Sequence, residues 1–195
     1  MLQDSPTEKL TTAVFGFALA VGALSLTKAN PETIMDVVGS LVLFSLSFII
    51  LVVIWWGTSE IMSKINQSNP VTVLLNIVLL FFVAIEPYLL NILNANVALF
   101  PLSSTLYAMD MAFLMGVSAA LSQILLKENK TTLTPQQLRY FRIGRNNQFI
   151  CSCLFFLSCL PWFLDWTIGG LNVRVLIWFA TLAFTLIISS RKRYL

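Results

Sequence analysis

Two carboxylates, Glu86 and Asp110, stand in stretches that are otherwise apolar. An acid inside a membrane-length apolar run is costly and normally faces a cavity or a partner, so both are candidates for chemistry. Two acids at similar depth could form an outer vestibule that concentrates cations, or a relay that passes protons. The plainer alternative is local hydrogen bonding, Asp110 to neighbouring hydroxyls and Glu86 beside the kink at Pro87. A second candidate is a stripe of bulky side chains, Phe17, Val21 and Leu24, at i, i+4, i+7 spacing on the first apolar run. Ala13, Gly16 and Ala20 make a small face on the same run, with Gly16-x-x-x-Ala20 as its centre. Small faces let helices pack closely in lipid, which predicts that this one turns into the protomer. The bulky stripe would then meet copies of itself around a symmetry axis and form an apolar constriction that gates by dewetting. The alternative is an ordinary packed inner helix.

Other chemistries lack their residues. The chain has no histidine, which removes Ser-His and Cys-His catalysis and every metal site that uses imidazole. Cys151, Cys153 and Cys159 share one apolar stretch without C-x-x-C spacing and read as small apolar residues. Neither G-x-S-x-G nor a Gly-rich phosphate loop is present, nor is the T-V-G-Y-G run of a carbonyl filter. These features predict no enzyme, no cofactor and no metal.

The elements that carry the candidates are membrane helices. Of the 195 residues, 57% are hydrophobic and 11% charged, against roughly 25% charged in soluble domains. Six apolar runs approach or cross a ~30 Å hydrocarbon core at ~1.5 Å per residue. They predict helices at 10–26, 33–62, 71–93, 102–126, 135–164 and 171–188, in one membrane domain covering 1–195. Asn30-Pro31 and Gln67-Ser68-Asn69-Pro70 mark breaks, and Thr134-Pro135-Gln136-Gln137 reads as a helix cap. If the six runs alternate across the membrane, Lys9, Lys64, Lys127, Lys130, Arg139, Arg142, Arg145, Arg191, Lys192 and Arg193 share one side. Only Lys28 and Arg174 fall on the other, which puts both termini in the cytoplasm. The positive charges sit at membrane edges, so the net charge of +3 gives no nucleic-acid signal. The run from Lys127 to Arg145 is a topology determinant that touches anionic headgroups. Glu60, after Trp55 and Trp56, reads as an interfacial carboxylate.

With the helices laid out, the chain resembles the transmembrane protein 175 family. Four stretches carry the likeness: Ala13-Val14-Phe15-Gly16-Phe17-Ala18-Leu19, the run from Ser47 to Trp56, the run from Asn76 to Pro87, and Leu106-Tyr107-Ala108-Met109-Asp110-Met111-Ala112. The last is similar to a family L-Y-A-L-N-L-A segment, with Asp110 in place of Asn. Leu10-Thr11-Thr12 stands where the family carries F-S-D, Pro6 stands at its Arg position, and Gly57, Thr58 and Ser59 replace polar groups near the end of its second helix.

The resemblance implies a homotetrameric six-helix cation channel that favours potassium and has no carbonyl filter. It implies that helix 1 lines the axis, with constrictions at Phe17, Val21 and Leu24. Thr11, Thr12 and Ala20 would flank them, the threonine hydroxyls meeting a partly hydrated ion. The expected setting is a prokaryotic plasma membrane, with monovalent cations and the lipid bilayer as partners. A transporter or proton pathway through Glu86 and Asp110, or a non-conducting scaffold, are the alternatives.

Overall fold

The computed structural model describes residues 6–28, 33–66, 68–95, 100–168 and 171–192. The Asn30-Pro31 turn, Gln67 and Arg193 lie outside them. Helices run Pro6–Lys28 (α1), Ile34–Met62 (α2), Pro70–Ala95 (α3), Phe100–Glu128 (α4), Pro135–Ser158 (α5), Trp162–Asp165 (α6) and Val173–Lys192 (α7). Thr167–Ile168 (β1) and Leu171–Asn172 (β2) pair antiparallel between α6 and α7. The regular structure among the described residues is thus helical apart from one minimal hairpin.

Capping residues set several of these ends. Thr33 accepts from the Asp36 amide, and the Asp36 carboxylate accepts from the Thr33 amide, closing a capping box at α2. Thr134 and Gln137 repeat the device at α5, with Pro135 in the first turn, where a missing N–H costs nothing. The fifth predicted helix extends to residue 164, but α5 stops at Ser158. Pro161 lacks the amide that would continue the ladder, so the chain turns and restarts as α6. The sixth predicted helix begins at residue 171, which instead belongs to β2. Asn172 bonds the Leu164 carbonyl at 2.7 Å and accepts from the Arg174 amide at 2.9 Å, which starts α7 two residues later.

Four helices contain segments long and apolar enough to cross a membrane: Thr7–Leu24, Asp36–Met62, Pro70–Leu93 and Phe100–Glu128. The apolar part of α7, Val173–Ser189, is shorter, and α5 opens with Arg139, Arg142 and Arg145.

Helix α4 is the centre of the bundle. It packs against α3 and α5, while α1 packs on α3 and α2, and α5 on α7. Small residues permit this closeness: a Cβ on Gly116 of α4 would stand 3.2 Å from Ser152 Oγ of α5. Ser152 Oγ already donates to the Ala112 carbonyl at 2.8 Å. Tyr107 of α4 meets Trp178 of α7 at 5.0 Å between ring centres, and Phe155 of α5 lies 6.4 Å from Trp178. All three rings are fully buried.

Candidate functional site

Helix α1 presents two faces. Thr11, Phe15, Ala18 and Gly22 are buried, whereas Thr12, Ala13, Gly16, Phe17, Ala20 and Leu24 are exposed. Phe17 is 72% exposed and Leu24 61%, and Val21 is half-buried at the border. The stripe of bulky side chains therefore does lie on the outside of the protomer.

The small face does not turn inward as its composition suggests. Ala13, Gly16 and Ala20 are exposed beside Phe17, and a Cβ on Gly16 would meet nothing within 4 Å. The small pair that faces the protein is Ala18 and Gly22, one register along, where a Cβ on Gly22 would reach Phe44 of α2 at 3.5 Å. Phe15 fills the next position on that inner face. Both registers satisfy small-x-x-x-small, and the one flanked by a large anchoring ring is the one that packs.

The two threonines separate. Thr12 is exposed, but Thr11 is 1% exposed and turned to α3. Its hydroxyl donates to the Thr7 carbonyl at 2.9 Å and accepts from Asn76 Nδ2 at 3.2 Å. Thr11 is thus not on the face of Phe17, and its hydroxyl is already engaged. Of the six first-helix candidates, Phe17, Leu24, Thr12 and Ala20 share one face, Val21 borders it, and Thr11 opposes it.

Glu86 and Asp110 come together, though not at a surface. Glu86 is 1% exposed and accepts from the Ser47 hydroxyl of α2. Asp110 is 4% exposed, and neither of its oxygens has a hydrogen-bond partner among the described residues. Each carboxylate lies within electrostatic reach of the other and of Tyr107. The Tyr107 hydroxyl sits beside Ser47 but outside hydrogen-bond geometry. An open acidic vestibule is therefore excluded, because the acids lie inside the protomer. Local hydrogen bonding accounts for Glu86 and leaves Asp110 unexplained.

Arg174 was legible only as one of two positive charges on its side, yet it is fully buried. Its Nε donates to the Ser158 carbonyl at 2.7 Å, and its Nη1 donates to Ser104 and Thr105 hydroxyls at 2.7 Å each. It thereby ties α4, α5 and α7 at one end of the bundle. Ser158 Oγ also accepts from Trp178 Nε1 at 3.0 Å. The nearby signal in the sequence was Ser103-Ser104-Thr105, three hydroxyl residues at the mouth of an apolar helix. At the opposite end, Tyr140 of α5 donates to Glu60 of α2 at 2.7 Å.

Among the described residues no three His, Cys, Asp or Glu side chains come together as metal ligands. A bundle with four membrane-length helices and an apolar face left open on its first helix defines an integral membrane protein. A sequence model of the family described as endosomal/lysosomal potassium channel TMEM175 matches residues 7–87, from α1 to Pro87 of α3. That match covers less than half of the chain and makes this stretch, α1 to α3, similar to the TMEM175 potassium channel family. No curated protein and no solved structure matches the chain.

Proposed function

We propose that four copies of this chain form a potassium-favouring cation channel whose axial pore is lined by the exposed face of α1. The observation that carries the reading is that Phe17, 72% exposed, and Leu24, 61% exposed, stand two turns apart on one open face of α1. The family match covers this helix and implies permeation by a monovalent cation. Phe17, Val21 and Leu24 are stacked apolar gates, and a narrow apolar neck opposes ion entry until it wets. Thr12 and Ala20 flank them. Thr11 supports α1 from behind through Asn76 rather than meeting the ion. The charge distribution supports six crossings in one membrane domain with both termini on the basic cytoplasmic side, and the short loops support a prokaryotic plasma membrane.

Potassium flux from liposomes holding purified wild type or Phe17→Ala tests this. Wild-type flux that rises when the ring is removed supports the apolar gate. Absence of potassium and sodium flux from both proteins would sink the channel reading.

One observation favours a second reading, a proton or ion pathway through the protomer. Asp110 keeps two buried oxygens without partners, close to Glu86. Asp110→Asn and Glu86→Gln separate the readings. Loss of transport while Phe17→Ala still alters nothing favours the carboxylates, and unchanged flux favours the axial pore.

A further inference from the structure

Two cavities meet at Tyr140, on the end of the bundle where Glu60 and Lys64 of the α2 end face the first turns of α5. The first, about 320 Å³, is lined by Glu60, Lys64, Thr134, Gln137, Arg139 and Tyr140, with Phe141 and Ile143 beside them. The second, about 290 Å³, has Val52, Val53, Trp56 and Leu186 in its wall together with the uncharged polar residues Asn147, Gln148, Thr185 and Ser189. Along α2 the second cavity starts one turn beyond Glu60 and reaches Val52, ~18 Å from Lys64 at ~1.5 Å per residue. Charged side chains line only the first cavity, so charge is confined to one end of the axis as it is in a phospholipid. The second cavity is a slot that also opens outward, since Trp56 is 60% and Leu186 42% exposed.

We propose that this pair of cavities is a binding site for one anionic phospholipid per protomer, with its phosphate at Lys64 and Arg139 and one acyl chain in the slot. Three features set the charge of the head cavity. Lys64 Nζ is held 5.3 Å over the ring of Phe141, and Arg139 lines the same wall. The N-terminus of α5 adds the positive end of a 24-residue helix. The opposing charge is Glu60, whose carboxylate is engaged by the Tyr140 hydroxyl at 2.7 Å. Two cations and a helix end against one bonded carboxylate leave the cavity positive. A zwitterionic head would bring its own ammonium against Lys64 and Arg139, so the site selects net negative heads. The slot holds an acyl chain of either lipid alike, because it contacts nothing that differs between them. Selectivity therefore resides in the head.

Native mass spectrometry of the purified, detergent-solubilised protein tests the site with equal amounts of phosphatidylglycerol and phosphatidylcholine of identical chains. Wild type should retain one phosphatidylglycerol per protomer in preference to phosphatidylcholine. Lys64→Gln with Arg139→Gln should cut that preference by about thirtyfold, each basic side chain near a lipid phosphate being worth roughly fivefold. Lys127→Gln with Lys130→Gln removes the same charge from residues that line neither cavity, and should leave the preference within about threefold. Equal losses in the two double variants would overturn the site in favour of a diffuse basic surface. Leu186→Trp plugs the slot at an exposed position and should lower retention of both lipids without changing their ratio. Retention unaffected by that plug would overturn the placement of the chain, and wild type without head preference would overturn the whole proposal.

Discussion

Helices α1 and α4 are both apolar and both long enough to cross a membrane, yet they sit in the protein in opposite ways. Only 22% of the α1 crossing segment is buried, against 56% of α4. Each has a glycine near its middle that makes the contrast concrete. A Cβ on Gly116 of α4 would crowd Ser152, whereas one on Gly16 of α1 would enter open space. Water cannot be what the open side of α1 meets, because that side carries Phe17, Leu24, Ala13 and Ala20. Apolarity in a membrane helix thus says that a residue is out of water and nothing about what it touches. The tightness of α4 supports the protomer, and the openness of α1 leaves a surface for something outside it.

The largest contrast should come from rings. Trp178→Ala empties the buried site against Tyr107 and Phe155 and frees Ser158, and should cost about 3–5 kcal/mol in thermal or denaturant unfolding. Phe17→Ala on the open face should stay within about 0.5 kcal/mol by the same measurement, while altering potassium flux. Similar losses in both would erase the distinction between the two regions. The glycines come next. Gly116→Leu should destabilise the protomer by about 1–3 kcal/mol through overpacking. Gly16→Leu should leave the protomer folded and shift the mass of the detergent-solubilised assembly, because its side chain would stand between copies. An unchanged assembly and unchanged flux would show that this face meets only lipid. The smallest effect separates the threonines. Thr11→Ala removes the link to Asn76 and should cost about 0.5–1.5 kcal/mol, whereas Thr12→Ala should be near neutral. Reversal of that order in unfolding midpoints would mean that α1 is turned differently on its neighbours.

Much of the architecture was legible because helix ends are local. Thr134 to Gln137 announces a cap in four consecutive residues, whereas the apolar run that continues past Ser158 hid the end of α5. The bearing of α1 was not legible. A helix that is apolar all round has no polar side to show which face is buried, so the sequence pointed to Gly16-x-x-x-Ala20 where Ala18-x-x-x-Gly22 packs. Phe15 and Phe44 decide between them, and Phe44 belongs to another helix. The acids were legible as costly residues at similar depth, and they do sit near one another. That they point into the protomer depends on the packing of α2, α3 and α4 together. Arg174 misled for a related reason: a lone arginine near a helix start reads as a membrane-edge charge, and only three helix ends brought together supply enough oxygen to bury it.

The bond between Thr11 and Asn76 has a consequence for motion. Successive residues on an α-helix point about 100° apart, so turning α1 by a single notch would replace Phe17 by Ala18 on the open side. The same turn would swing Thr11 away from Asn76 and lift Phe15 out of its socket. The helix is keyed like a shaft, free to tilt or slide with α3 but not to spin against it. In the proposed axial pore a change of aperture would therefore come more cheaply from leaning helices or flipping rings than from rotation of α1 about its own axis.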